Sequence, residues 1–315
     1  MQTFIAPTHA PTARRSVMSH GTATKTFEEA VAAINYGVSK ETVYDADGKA
    51  LPREYRGMFN TKTREAIGVV GHGFTFYQPS ESLEIMRAAV DSVSGAKWRS
   101  VISTHGGAHL CAFAELPEQM KAPNRGDLIG MNFFMRDWFN GTGRNVWGIN
   151  AIVRTCTNGA IGTRCLFSIG GKHTPNLKSK VEAVRLELAM KIQDEVEKFR
   201  GFVYKLDNAS MDRAEMNDFS LRLFGVDSEE ALNDDDITST QLRNKVETVR
   251  VLFDRGTGNI GKSRWDAYNA VTEFTDWHST FRSTQSANAE ENRFLSLLGG
   301  NVASLKDRAA DLLVQ

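Results

Sequence analysis

The sequence predicts an α+β protein in which an N-terminal antiparallel β-sheet with helices is followed by a mainly α-helical C-terminal region. In the first half, short apolar runs are separated by turn residues, and the runs at about 129–138 and 144–154 alternate apolar and polar side chains. This alternation is typical of strands with one buried face. From residue 175 onward, apolar residues recur every three or four positions, which is the period of an amphipathic helix.

The elements of the N-terminal half follow from its caps and turns. Thr26 is placed to cap a helix over 27–36, and Pro79 introduces a second helix that runs to about residue 93. Turn residues at 45–48 and 105–108 indicate hairpins. Besides the two alternating runs, we expect strands at 52–59, 66–77, 97–105 and 109–116.

The C-terminal half reads as helices. A long amphipathic helix is predicted over 175–206, and the acidic stretch 207–236 indicates short helices and a loop. Further helices are expected at 237–253, 263–277, 287–298 and 302–313. We therefore divide the chain into a flexible basic arm (1–25), an α+β sheet domain (26–175) and a helical region (176–315).

Composition narrows the class of protein. The 315 residues carry no net charge, but residues 1–180 hold 21 Lys and Arg against 14 Asp and Glu, whereas residues 181–315 hold 17 against 24. Such a split can direct one face toward a polyanion or pair neighbouring subunits. Three cysteines without CxxC spacing argue against a disulfide framework and a cysteine zinc site. With no apolar stretch of membrane-spanning length, we expect a cytoplasmic protein that does not bind membranes.

The positive charge is concentrated between residues 121 and 180, where nine Lys or Arg meet only two acids and are interleaved with large aromatic residues. Cations suit a phosphate backbone, and flat rings suit unpaired bases. If the strands at 129–138 and 144–154 pair, their polar faces form a stacking platform beside a basic rail. The candidate nucleic-acid contacts are Arg136, Arg144, Arg154, Arg164 and Lys172 for phosphates and Phe134 and Trp138 for bases. The alternative is an ordinary sheet face whose aromatic residues are covered by a helix.

The segment 256–263 (GTGNIGKS) matches the phosphate-binding loop pattern GxxxxGK[ST]. A nucleotide-hydrolysing fold also needs parallel strands and an Asp at the end of a later strand, and the residues that follow have a helical pattern. We therefore favour a helix start that caps itself or contacts a nucleic-acid phosphate. The candidate phosphate contacts in this loop are Gly258, Gly261, Lys262 and Ser263.

Catalytic and metal-binding residues do not stand out. His105, His109 and Cys111 have a spacing that can seed a metal site, but the two glycines between the histidines favour a hairpin turn. The sequence shows no nucleophile elbow, no HExxH and no obvious nuclease carboxylates. We assign no catalytic residue, metal or cofactor, and we expect a protein that is not an enzyme.

Three segments together resemble the phage- and plasmid-borne family called domain of unknown function 932: 152–159 (IVRTCTNG), 172–174 (KHT) and 256–273 (GTGNIGKSRWDAYNAVTE). The resemblance covers most of the chain after the N-terminal arm and implies a mobile genetic element inside a bacterial host cell. The layout is also loosely similar to the single-strand annealing superfamily of the Red-beta and RecT type. That similarity implies assembly into rings or filaments and no need for a nucleotide.

These observations lead to one functional expectation and two alternatives. We expect a phage or plasmid protein that binds single-stranded DNA, forms homo-oligomers and promotes strand annealing in recombination without a nucleotide. The first alternative is an enzyme, either an NTPase that uses Lys262 or a nuclease with dispersed carboxylates. The second is a protein-interaction or anti-defence module that does not bind DNA.

Overall fold

The computed structural model describes residues 22–121, 128–153, 165–284 and 288–315. Its sheet part contains β1 (Thr22–Ala23), α1 (Phe27–Ala33), β2 (Val38–Glu41), β3 (Tyr55–Asn60), β4 (Ala66–Gly71), α2 (Pro79–Asp91), β5 (Lys97–Thr104), β6 (His109–Lys121), β7 (Leu128–Trp138), β8 (Asn145–Val153) and β9 (Cys165–Gly171). The helical part contains α3 (Leu177–Asn208), α4 (Arg213–Phe224), α5 (Glu229–Asn233), α6 (Thr240–Arg255), α7 (Arg264–Glu273), α8 (Ala289–Gly299) and α9 (Asn301–Val314). The predicted α+β class is confirmed.

The strands form two antiparallel sheets. The large sheet has six strands in the order β1-β5-β6-β7-β8-β9, and the small sheet has three in the order β2-β3-β4. The small sheet contacts the turn that joins β7 to β8, since a Cβ added at Gly68 would lie 2.8 Å from the Cα atom of Asn140. A side chain at Gly68 would therefore separate the small sheet from this turn.

The two faces of the large sheet are covered by different helices. On one face, Phe133, Met135 and Trp147 join the main hydrophobic core, which continues through α2 and α3 into the helical region. On the other face, Phe134 and Val146 belong to a smaller apolar cluster with Phe294, Leu297 and Val302, which lie on α8 and α9. Both faces of the sheet are thus packed against helices, although the alternation along β7 by itself predicted one buried face.

Local caps explain where several helices begin. Thr26 caps α1 as expected, and its side chain accepts a hydrogen bond from the amide of Glu29 at 3.2 Å. The helix expected from residue 237 begins instead at Thr240, because Ser239 provides the cap. The helix expected over 263–277 is α-helical only to Glu273 and continues as a π-helical turn over Phe274–His278. The sequence pattern did not reveal this change of helix type.

Other differences concern strands. β1, β2 and β9 were not expected, and the strand expected over 66–77 ends at Gly71. Beyond it, the amide of Thr75 donates a hydrogen bond to the carbonyl of His173 at 3.0 Å, so this segment links the small sheet to the residues after β9. Among the helices of the described ranges, none combines the length and apolar character needed to cross a bilayer.

Candidate nucleic-acid interface

Four of the predicted contact residues lie together at one end of the large sheet. Arg136 and Trp138 are on β7, with Arg136 opposite Val146 on β8. Arg144 immediately precedes Asn145, Lys172 immediately follows Gly171, and Asn145 and Gly171 are paired across β8 and β9. The register therefore brings the four residues to neighbouring strand ends. His109 on β6 is paired with Trp138 and contacts His105. We call these six residues the rim: His105, His109, Arg136, Trp138, Arg144 and Lys172.

The rim offers two exposed cations and one fixed ring. Arg144 and Lys172 are exposed, whereas Arg136 and Trp138 are half-buried. The Arg136 guanidinium carbon lies 5.4 Å from the Trp138 ring centroid, which is a cation–π contact. Gly143 packs so closely against the Trp138 ring that any side chain at this position would overlap it. The indole is therefore held in place by its neighbours.

The histidines of the rim form a hydrogen-bond chain whose proton positions can be deduced. The Asn140 carbonyl oxygen accepts from the amide of Thr142 at 3.1 Å, so the Asn140 amide nitrogen donates to His109 Nε2 at 3.0 Å. A neutral His109 then carries its proton on Nδ1 and donates to His105 Nδ1 at 3.2 Å. His105 is left with its proton on Nε2.

Burial keeps both histidines uncharged at neutral pH. Burial, with a smaller contribution from the nearby His105, lowers the pKa of His109 to about 4. Burial also lowers the pKa of His105. The hydrogen-bond chain also argues against a metal site at His105, His109 and Cys111, because both ring nitrogens of His109 take part in hydrogen bonds. Within the described residues, no group of three or more His, Cys, Asp or Glu is arranged to hold a metal ion.

The expectation for Phe134 needs correction. Phe134 is 6% exposed and packs against Phe294, Leu297 and Val302. A ring buried beneath the protein's own helices cannot stack on a base, so at this position the alternative of a helix-covered sheet face is the correct one. Sequence periodicity marked the face of β7 but carried no information about which later helix covers it. Arg154 and Arg164 lie outside the described residues.

A buried polar cluster beneath the rim was missed at the sequence level. The Asp137 side chain has no exposed surface and accepts hydrogen bonds from Ser82 Oγ at 2.7 Å and Asn145 Nδ2 at 2.6 Å. His173 Nε2 lies 3.2 Å from the other Asp137 oxygen, and His173 Nδ1 lies 2.9 Å from the carbonyl of Thr75. Asn145 and His173 are the chain neighbours of Arg144 and Lys172, so the cluster fixes the backbone that carries both exposed cations. The sequence feature that could have pointed to this cluster was His173, which lies in the 172–174 segment of the family resemblance.

The glycine loop caps itself. The Asp266 carboxylate accepts from the amides of Ile260 at 3.1 Å, Lys262 at 2.8 Å and Ser263 at 3.1 Å. It occupies the position that a phosphate takes at an anion-binding helix start. The amide of Thr257 likewise donates to Glu273 at 2.8 Å.

The loop therefore differs from a nucleotide cradle. Gly258 and Gly261 have φ angles of +80° and +67°, which supply the tight turns. The amides of Lys262 and Ser263 are committed to Asp266, so a phosphate role for the backbone of this loop is not supported. Of the phosphate candidates in the loop, Lys262 alone presents an exposed charged side chain.

A second buried charge cluster lies at the π-helical turn. Lys306 Nζ on α9 is 2.5 Å from the Asp276 carboxylate, and Arg293 on α8 donates to the Asp276 carbonyl at 2.7 Å. Burial raises the pKa of Asp276 and lowers that of Lys306, because each charge is costly without its partner. The cluster anchors both C-terminal helices, including the one that covers Phe134.

Comparison with known proteins gives one match. Residues 66–297 match the family described as Domain of unknown function (DUF932). The matched range includes β7, the rim, the buried Asp137 cluster and the glycine loop. Neither the curated proteins nor the solved structures contain a significant match. On the extent of the family match, the chain belongs to the DUF932 family.

Proposed function

We propose that the chain binds single-stranded DNA through the rim and promotes strand annealing without covalent chemistry. The observation that carries this proposal is the position of Arg144 and Lys172, two exposed cations on adjacent strand ends, beside the Trp138 ring. Phosphates of a single strand are attracted by such cations, and a neighbouring half-buried ring can contact a base. Arg136 supports the ring from the same face of the sheet.

Electrostatics dominates in this arrangement. With Phe134 buried, Trp138 is the one predicted stacking residue that keeps partial exposure. We therefore expect affinity to come mainly from phosphate contacts and to fall steeply as salt rises. The two histidines add no charge near neutral pH, because their pKa values are lowered by burial.

Assembly and cellular setting belong to the same proposal. The basic first part and the acidic second part of the chain, with 21 basic against 14 acidic and 17 against 24 residues, favour contacts between copies. A homo-oligomer, either a ring or a filament, would repeat the rim along a DNA strand. The proposed setting is the cytoplasm of a bacterial host that carries a phage or plasmid.

The test is fluorescence anisotropy of a labelled single-stranded oligonucleotide at low salt. Replacing Arg144 and Lys172 together by Ala should weaken binding and make the salt dependence shallower. Lys198→Ala is the matched control, since Lys198 is a 70% exposed cation on α3. If the double variant binds as tightly as the unchanged protein, the rim is not the DNA surface.

Annealing is tested separately with complementary quenched and labelled strands. We expect acceleration that is indifferent to ATP, because the loop amides that would cradle a phosphate are bonded to Asp266. Activity that depends on ATP and on Lys262 would favour the NTPase alternative, and Mg²⁺-dependent strand cleavage the nuclease. Failure to retain any oligonucleotide at low salt would favour the interaction module.

A further inference from the structure

The helical region contains a cleft of about 610 Å³, a volume typical of small-molecule sites. It lies between α6, the π-helical turn and the junction of α8 with α9. None of the rim residues is among those that line it in the described part of the chain. It is therefore a second site, separate from the proposed DNA surface.

The chemistry of the cleft wall is selective. Among the lining residues that the structure describes, none is Asp or Glu, and Lys245 carries the one permanent charge. Carboxamides come from Gln241, Asn244 and Asn301, and Phe281 adds an aromatic ring. A cation can hold a phosphate, carboxamides can pair with the edge of a base, and a ring can contact its face.

The inner wall contains a polar atom that needs a partner. The His278 side chain is 4% exposed, and its Nε2 has no hydrogen bond to any described residue. It lies 3.9 Å from Glu273 Oε1, which is too long for a hydrogen bond. His278 therefore borders the cleft with a buried ring nitrogen whose hydrogen-bonding capacity no described residue uses.

His278 also ends the π-helical turn, and such turns occur frequently at functional sites. The neighbouring Glu273 holds the Thr257 amide of the glycine loop at 2.8 Å. Segment 256–273, the longest motif of the family resemblance, contributes none of the described lining residues, but it ends directly before Phe274, which lines the cleft. The segment therefore lies next to the cleft, and its phosphate-loop pattern is not part of the proposed site.

We propose that the cleft binds a nucleoside monophosphate unit, supplied either as a free nucleotide or by one nucleotide of a bound strand. One Lys matches the charge of a single phosphate better than that of a triphosphate. The carboxamides and Phe281 supply the contacts that a base needs and a bare phosphate does not. This site does not depend on the rim.

The test is isothermal titration calorimetry of the full chain with the four deoxynucleoside monophosphates at low salt. Saturable binding is expected, and the matching deoxynucleosides and inorganic phosphate alone should each bind roughly tenfold more weakly or worse. Lys245→Ala and Asn244→Ala should each weaken nucleotide binding by roughly tenfold. Lys198→Ala is the control and should leave the affinity unchanged.

Two outcomes overturn the proposal: no saturable binding of any nucleotide at millimolar concentration to the folded protein, or binding that Lys245→Ala and Asn244→Ala leave unchanged. The source of the nucleotide follows from the oligonucleotide assay. If free nucleotides compete with the oligonucleotide and Lys245→Ala weakens oligonucleotide binding, the nucleotide in the cleft comes from the bound strand. If neither effect occurs, the cleft binds a free nucleotide. The Arg144 and Lys172 variants should keep nucleotide binding, so failure at the rim and failure at the cleft are distinguishable.

Discussion

His173 Nε2 lies 3.2 Å from a carboxylate oxygen of Asp137, and both side chains are almost fully buried. The pair joins the end of β7 to the residues after β9, and Ser82 ties it to α2. Asn145 also donates to Asp137. The exposed Arg144 directly precedes Asn145 in the chain, and the exposed Lys172 directly precedes His173. Buried polar chemistry thus fixes the position of surface charge.

Asp137→Ala should lower both stability and DNA binding. Removal of the carboxylate leaves Asn145 and Ser82 without their acceptor, and because each unsatisfied buried group costs about 1–3 kcal/mol, we expect a loss of about 3 kcal/mol. Urea unfolding measures this loss. Ser82→Ala is the comparison, because it removes one hydrogen bond and should cost about 1 kcal/mol. Equal losses for the two variants would contradict a central role for Asp137.

Phe134→Ala separates packing from base stacking. Because Phe134 is buried against α8, we expect the free energy of unfolding to fall by about 3 kcal/mol. Under conditions where the variant is folded, its affinity for an oligonucleotide should be unchanged, whereas Trp138→Ala should weaken binding. A large loss of affinity in folded Phe134→Ala would show that the ring becomes accessible when DNA binds.

The pH dependence of stability should reveal the histidine chain. Burial lowers the pKa of His109 from 6.5 to about 4, so between these values the unfolded chain binds a proton that the folded chain does not. Stability should therefore fall as pH drops from 6.5 toward 4, by up to about 3 kcal/mol. Urea unfolding of His109→Gln across this range should lack that component. If the free energy of unfolding depends on pH in the same way in both proteins, His109 is not the group with the lowered pKa.

Lys306→Met should destabilise the C-terminal helices by about 3 kcal/mol, because Asp276 would remain buried without its cation. Burial already raises the pKa of Asp276. Without Lys306, the folded state therefore holds a proton on the Asp276 carboxyl group more tightly than the unfolded state does. The variant's stability should then fall further as pH rises above the unfolded carboxyl pKa, so its deficit is smaller in mild acid than at neutral pH. A deficit independent of pH, measured by urea unfolding, would argue against an isolated Asp276 charge.

The sequence was informative where one local rule decided the outcome. Alternation on β7 gave its two faces, Thr26 gave the start of α1, and the helical texture after Pro175 gave α3 and the elements beyond it. The sequence around the glycine loop lacks the strands of a nucleotide-hydrolysing fold, which favoured a loop that caps its own helix. Asp266 forms that cap.

Properties that depend on residues distant in the chain were not predictable in this way. Phe134 is separated from Phe294 by 160 positions, and no periodicity says that α8 returns to cover it. Asp137 on β7, Ser82 on α2 and His173 after β9 are far apart in the chain, so their meeting is set by tertiary packing alone. The exposed members of the rim were found from charge and strand parity, whereas their buried support was not.

The close contact between Gly68 and Asn140 has a mechanical consequence. Asn140 sets the direction in which the imidazoles share their protons, and it is pressed against the backbone of the three-stranded sheet. Because position 68 has no side chain, the small sheet can approach the backbone of the residue whose amide orients the two imidazoles. Any larger residue at this position would move Asn140 away and disturb the orientation of both rings.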